Sequence, residues 1–280
     1  MKGAMIGDIV GMRFEWNNIK TKQFELFVPG VSRFTDDSVL TMATAEALMR
    51  VRPGSSEEDY HRAFTEEYVW FAKHYPRRGY GGMFSRWFSG EDHRPYHSCG
   101  NGSAMRVSPV AWVAGSLREC ERLAKYSAEV THDHPDGIAG AQATAGACWL
   151  GLHGASKSEI KAYVERYYPL NFTLDEIRPD YHFGHFQALN AGTVPYAVEA
   201  FLESDSFEDC IRSTMSIGGD SDTLGAIAGA IAEAFYGLPE TLWSEAEQYL
   251  DAESRERVRR FTDYAAASAK AAEKAVLSDA

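Results

Sequence analysis

Apolar residues along this chain recur mostly at helical spacing. Over residues 36–51, Val39, Leu40, Ala43, Ala47 and Leu48 share one stripe, and Pro53-Gly54 supplies the stop. Residues 134–152 repeat the period with Ile138, Ala141, Ala145, Cys148, Trp149 and Leu152, and Gly151 and Gly154 mark the end. Residues 193–203 carry Ala197, Val198, Phe201 and Leu202, with Pro195 near a helical first turn. Phe207, Cys210, Ile211 and Met215 align over 207–217; Leu224, Ile227, Ala228, Ile231 and Phe235 align over 221–236, closed by Gly237 and Pro239. From about 240 to 275 the chain turns charged and alanine-rich, predicting a solvent-facing terminal helix. Alternating patterns are scarce, and Glu25 to Val31 is the nearest candidate strand. With no repeat and no Gly/Ser or Pro linker, the pattern predicts one all-α domain over residues 1–280, of which about 240–280 form a terminal helical extension.

Charge narrows the function. The net charge is −12, from 28 basic and 40 acidic residues. A nucleic-acid binder needs a basic footprint, so phosphate-backbone binding is excluded as the main activity. An anionic ligand would need local neutralisation by a metal or by backbone N–H groups. Cys99, Cys120, Cys148 and Cys210 are scattered without a CxxC pair, the usage of reduced thiols in a cytoplasmic protein. Asp8 interrupts the N-terminus too early for a secretory apolar region, and the run Leu224 to Phe235 is too short to span a bilayer and contains Glu233. The expectation is an intracellular protein with no membrane partner.

Two acidic, hydroxyl-bearing clusters lie far apart in the chain. Thr35-Asp36-Asp37-Ser38 opens a helix, and by itself it also reads as an N-cap with acids placed against the helix dipole. Gly218-Gly219-Asp220-Ser221-Asp222-Thr223 is harder to explain as a cap, since one cap needs one oxygen and two like charges repel unless a cation compensates them. Together the clusters offer four carboxylates and two threonine hydroxyls, which suit one or two Mg²⁺ or Mn²⁺ ions and suit zinc poorly. The glycine-rich loop Ser98-Cys99-Gly100-Asn101-Gly102-Ser103-Ala104-Met105-Arg106 leads into a helix and can present backbone N–H groups to a phosphate, although its spacing is neither Walker nor Rossmann. In Thr131-His132-Asp133-His134-Pro135-Asp136-Gly137, His132 is the candidate ligand contact and the rest reads as helix-start chemistry; no third His or Cys completes a zinc site. Gly7-Asp8, Gly11 and Glu15 make an acid-bearing segment near the N-terminus.

In this order the motifs resemble the ADP-ribosylglycohydrolase family, which includes ADP-ribosyl-arginine and ADP-ribosyl-serine hydrolases and the glycohydrolase that reactivates dinitrogenase reductase. The match runs from Gly3-Ala4, through Gly7-Asp8, Gly11 and Glu15, then the 35–38 and 100–106 motifs and Thr131-His132 with Gly137, to Gly218–Thr223 with Gly225 and Gly229. The resemblance implies an all-α orthogonal multi-helix fold with a binuclear Mg²⁺ or Mn²⁺ centre. It implies Thr35, Asp36, Asp37, Asp220, Asp222 and Thr223 as metal ligands. It further implies that Ser98, Cys99, Gly100, Asn101, Gly102 and Ser103 cradle a pyrophosphate and the adjoining ribose, with His132 touching the ligand. Glu15 falls where some members carry a catalytic or gating glutamate; with Asp36 and Asp37 it completes the expected catalytic set. The family's aromatic adenine shelf does not transfer, because Cys99 stands at its position; Tyr96, Phe84 and Trp87 are the candidate replacements.

The activity implied is metal-dependent release of ADP-ribose from an ADP-ribosylated protein side chain (arginine or serine linkage) or a small ADP-ribose conjugate such as an O-acetyl ester. Two other readings stay open at this point: a non-catalytic ADP-ribose binder or immunity-type protein, and a two-metal pyrophosphohydrolase of ADP-ribose.

Overall fold

Serine and threonine caps set many of the helix starts. Ser56, Ser116 and Ser206 accept a hydrogen bond from the backbone N–H three residues on, and Ser156 with Glu159 and Thr173 with Glu176 form complete capping boxes. The computed structural model describes residues 1–278, with side chains through 270. Its helices are α1 Lys2–Gly11, α2 Asp36–Arg50, α3 Glu57–His74, α4 Gly82–Ser89, α5 Gly102–Met105, α6 Pro109–Val113, α7 Leu117–Glu129 and α8 Pro135–Leu152. They continue with α9 Lys157–Val164, α10 Leu174–Ile177, α11 Asn190–Leu202, α12 Phe207–Ile217, α13 Ser221–Tyr236, α14 Glu240–Ala246 and α15 Ala252–Ser278. Among the described residues the β pairing is confined to one isolated antiparallel bridge, Gly100 to Leu189. The all-α expectation holds.

The fold is organised on α13. A helix that is apolar on every face has to be surrounded, and α13 is buried from Ser221 to Ala234, packed by α1, α8, α11 and α12. Its contact with α1 is unusually close. Gly3, Gly7 and Gly11 form one row on α1, and Ser221, Gly225 and Gly229 form the facing row on α13. A Cβ placed on Gly7 would lie 1.9 Å from the Gly225 carbonyl oxygen, and one on Gly3 would lie 2.2 Å from that of Gly229. Backbone therefore meets backbone at three points along about two helical turns. At the far end of this contact the Gly3 N–H donates to the buried Glu233 carboxylate at 2.7 Å, which satisfies an orphan donor of the first turn.

Three expectations from the pattern are corrected. Residues 25–31 form no strand: no partner strand lies alongside, and Pro29-Gly30, with Gly30 at φ 77°, makes a turn in which Val31 and Ser32 donate to the Val28 carbonyl. Pro195 lies inside α11, not in its first turn; the helix begins at Asn190, whose N–H donates to Cys99 O and whose side chain donates to Gly100 O. The tail is not uniformly solvent-facing. After α14 and a short 3₁₀ turn, α15 buries Val258, Phe261 and Ala265, packs on α2 and α6, and sends Arg257 and Arg260 to Glu46 of α2. Charge dominates its outer face and hides the periodicity of the inner one. Phe261→Ala is expected to cost about 3 kcal/mol, lowering the thermal midpoint by about 6–12 °C; a midpoint within 2 °C of the wild type, about half a kcal/mol, would return the tail to solvent.

Candidate metal centre and ligand loop

Helix ends bring the two acidic clusters together. The N-terminus of α2 carries Asp36 and Asp37, the N-terminus of α13 carries Asp220, Asp222 and Thr223, and the α1–α13 contact delivers Asp8 between them. Asp8 is fully buried. Its carboxylate accepts from the N–H groups of Thr35 (2.9 Å) and Ser38 (3.1 Å), from the Thr35 hydroxyl (2.6 Å) and from the Ser38 hydroxyl. Asp8 thus performs for α2 the capping that Thr35, the residue at the N-cap position, leaves undone. The Gly218-Gly219 turn has φ 80° and 78°, a conformation open to glycine, and a Cβ on Gly219 would strike the Tyr181 ring at 2.1 Å.

The carboxylates form two groups with one shared member. Oxygens of Asp8, Asp37 and Asp222 lie within 4.8 Å of one another, and so do those of Glu15, Asp220 and Asp222. Asp37 Oδ1 is buried without a hydrogen-bond partner. Thr35 and Thr223 are buried at the edges, Thr223 against the Met105 sulfur, whereas Asp36 sits at the rim facing Gly79 and belongs to neither group. Among the described residues none of these acids takes part in an ion pair within 4.0 Å. Burial, followed by the charge of Asp222, pushes Asp36, Asp37 and Asp220 well above the usual carboxylate range, Asp8 up to about 6 and Glu15 up to about 7. Arg33 is the cation that acts on Glu15 and Asp222, and it makes no ion pair with them within 4.0 Å; a crowd of hard oxygen donors so weakly compensated, one of them unpartnered, fits hard divalent cations.

This electrostatics has a measurable sign. A carboxyl whose folded pKa is raised binds its proton more tightly in the folded state, so stability falls as pH rises between the unfolded and folded values. For Asp8 and Glu15 that window runs from about pH 4 to pH 7. The rise at Asp8 alone corresponds to about 3 kcal/mol. Protein held in EDTA is expected to lose about 5–10 °C of melting temperature between pH 5 and pH 8, and millimolar Mg²⁺ or Mn²⁺ to restore most of it at pH 8. A flat profile in EDTA would show that the cluster carries no electrostatic strain.

The glycine loop is tied to this cluster. Asn101 donates from Nδ2 to Asp220 (2.7 Å) and Thr193 Oγ1 (3.1 Å), and its N–H goes to Ala188 O. Ser103 is buried and donates to Gly137 O, so its hydroxyl faces inward. The Gly102 and Ser103 N–H groups find no acceptor among the described residues, while Ser98, Cys99, Gly100 and Gly102 keep partial exposure. His132 lies behind the loop, with Nε2 about where contact with a Cβ on Gly102 (3.3 Å) or Gly100 (3.6 Å) would occur. His134 does not join it; its ring caps α8 by accepting from the Asp136 N–H. Of the three aromatic candidates, Phe84 and Trp87 are buried in a stack with Tyr80 and Phe88, and Tyr96 is the one whose ring leans on His132, at 5.9 Å between centroids. Tyr96 and the edge of Trp87 line a cleft of about 430 Å³ with Arg86 and Arg94.

Sequence reading brought together Thr35, Asp37, Asp220, Asp222, Thr223 and Glu15, and it missed Asp8 as a site residue. The available signal was one acid in the apolar run Gly3–Gly11. It also missed Asn18. That side chain donates to Phe14 O, Glu15 O and Gly219 O and accepts from the Gly219 N–H at 2.9 Å, which pins the Glu15 segment to the turn before Asp220. Nothing local in the sequence marks such a contact across about two hundred residues.

The architecture is that of an all-helical enzyme class with its polar centre at converging helix ends. The chain belongs to the ADP-ribosylglycohydrolase family, a family of hydrolases: the ADP-ribosylglycohydrolase family model matches residues 1–275. ADP-ribosylhydrolase ARH3 of Mus musculus is 26% identical, with 85% of this chain and 83% of that protein covered; the Homo sapiens protein is 25% identical, with 89% and 88% covered. The ADP-ribosyl-[dinitrogen reductase] glycohydrolase of Rhodospirillum rubrum is 32% identical over 57% of this chain and 54% of its own. A solved structure described as an ADP-ribosylglycohydrolase-related protein complex superposes with a TM-score of 0.62 at 22% identity, covering 88% of this chain and 92% of that one, and so shares the fold. Among the described residues no helix is long and apolar enough to cross a membrane.

Proposed function

We propose that this protein is a metal-dependent hydrolase that releases ADP-ribose from an ADP-ribosylated arginine or serine side chain, or from a small ADP-ribose conjugate. The observation that carries this reading is the pair of carboxylate groups sharing Asp222, beside a glycine loop bound to the same cluster through Asn101 and Asp220. Asp8, Asp37, Asp220 and Asp222, with Thr35, Thr223 and rim-placed Asp36, are the residues to hold two Mg²⁺ or Mn²⁺ ions; such ions supply Lewis acidity toward ribose hydroxyls and a more acidic bound water. The loop supplies free N–H groups for the pyrophosphate, so an acidic protein can take a dianionic ligand. Glu15, half-buried and raised to about 7, holds a proton near neutral pH and is the candidate acid or base at the scissile bond.

Product analysis by mass spectrometry tests this directly. Mono-ADP-ribosylated arginine and serine peptides, incubated with Mg²⁺, Mn²⁺ or EDTA, are expected to yield intact ADP-ribose only with metal, and the peptide consumed names the linkage. AMP as a product would replace the reading with a pyrophosphohydrolase; bound ADP-ribose without turnover would replace it with a binder.

A further inference from the structure

Among the described residues Arg106 is the largest fully buried side chain, and it forms no ion pair there. Its guanidinium lies 4.0 Å from the Tyr68 ring centroid; Nη2 donates to Ser127 O at 3.1 Å and to Thr131 Oγ1 at 2.7 Å, while Nε and Nη1 have no partner. A guanidinium is always charged, and burying one without a carboxylate is costly. The charge is therefore retained against a penalty, and its strongest contact is Thr131.

Thr131 passes that contact on. Its oxygen accepts from Arg106, so its single hydrogen is free to point elsewhere. Three acceptors are near: Ala128 O at 3.4 Å, His132 Nδ1 at 2.7 Å and the Tyr96 hydroxyl, and the short contact is the one to Nδ1. Ala128 O already receives the N–H groups of Thr131 (3.0 Å) and His132 (2.7 Å), which fills its two lone pairs. The hydroxyl hydrogen goes to Nδ1, which must then be bare, and the ring proton resides on Nε2. That nitrogen faces the Gly100–Gly102 backbone, 3.6 Å and 3.3 Å from where a Cβ on Gly100 or Gly102 would stand, with the Ser98 hydroxyl beside it at Gly100.

We propose that Arg106 and Thr131 are positioning residues that lock His132 as the neutral Nε2–H tautomer, so that it presents one fixed hydrogen-bond donor to an anionic ligand held in the Gly100–Gly102 loop. The ligand half of this rests on the ADP-ribose reading above; the tautomer does not. The surroundings agree. Burial, then the Arg106 charge, hold the imidazole well below its usual range, so it stays neutral at physiological pH. Tyr96, the other titratable group against the ring, is pushed up to about 12 by burial and stays protonated. The nearby acids are engaged elsewhere: Asp133 accepts from the His97 N–H and Asp136 from the Tyr168 hydroxyl.

The experiment is a long-range ¹H–¹⁵N spectrum of the full chain labelled in its histidine rings, with Mg²⁺, from pH 5.5 to 8, alongside calorimetric titration with ADP-ribose. His132→Gln identifies the resonance. The wild type and Thr131→Ser are expected to show His132 protonated at Nε2 and bare at Nδ1 throughout. Thr131→Val is expected to give mixed tautomers and an affinity for ADP-ribose about tenfold weaker, the loss of one oriented donor to a charged phosphate. An Nδ1–H tautomer or an imidazolium in the wild type would overturn the relay whether or not Thr131→Val folds. A shifted tautomer in Thr131→Val with unchanged affinity would overturn its role toward ligand. The expected tautomer in a protein that fails to bind ADP-ribose would fault the ADP-ribose reading and leave the lock standing.

Discussion

Asp222→Asn is expected to abolish turnover, by roughly 10³-fold or more, while making the metal-free protein more stable. The two effects share one cause. Asp222 belongs to both carboxylate groups, so its loss removes an oxygen donor from each. It is also the leading charge that raises Asp8, Glu15, Asp36, Asp37 and Asp220. An amide of the same shape relieves that repulsion, and the midpoint in EDTA is expected to rise by several degrees. The shift produced by Mg²⁺ is expected to shrink in the same variant. Kinetics on the peptide substrates and melting with and without metal measure all three quantities. Wild-type turnover in Asp222→Asn would dismantle the shared-ligand assignment, and an unchanged melting temperature in EDTA would locate the strain elsewhere.

Gly7→Ala is expected to disrupt the fold through a single methyl group. The added Cβ would stand 1.9 Å from the Gly225 carbonyl oxygen and 2.7 Å from the Ala226 nitrogen. Both are backbone atoms of a helix held from every side, so no side chain can swing away. Either α1 withdraws or α13 shifts, and the closely packed interior resists both. A loss of about 3 kcal/mol or more follows, at the upper end of overpacking costs. Because α1 carries Asp8, any protein that still folds is expected to bind metal more weakly. Gly81→Ala is the control: beyond its chain neighbours no atom lies within 4 Å of its Cβ position and its φ is −57°, so its cost is expected to stay at or below about 1 kcal/mol, that of an N-cap change. Equal melting temperatures for the two variants would refute the close-contact account.

Helices with strong period and clear stops were legible before the structure. The pattern over 207–217 and 221–236 coincides with α12 and α13, and Pro53-Gly54 does follow the end of α2. What escaped was structure made by distant contact. α1 reads as a short apolar stretch rich in glycine, and its glycines acquire a purpose only against Gly225 and Gly229. α15 escaped because its buried Val258, Phe261 and Ala265 are diluted among arginines and glutamates. The same division holds at the site. Asp37, Asp220 and Asp222 stand out because several acids crowd a helix start, where one cap would suffice. Asp8 is a lone acid, and its meaning depends on which helix lies opposite. Ser103 looks like a ligand contact in a glycine loop, yet its hydroxyl is committed to Gly137.

The glycine rows of α1 and α13 also divide the protein by how it opens. Amides there are sealed between two backbones and lie beneath the central core, so they can exchange with solvent only when the whole domain unfolds. Asp8 and Asp222 are carried by those helices, and the separation between them is therefore as durable as the fold itself. Glu15 is different: its segment is fastened to the Gly218-Gly219 turn by the Asn18 contacts and has little regular structure of its own. Hydrogen-exchange protection is thus expected to fall abruptly between Gly11 and Glu15, which puts the Asp8 and Asp222 side of the centre on the slowest-opening part of the chain and its glutamate on one of the fastest.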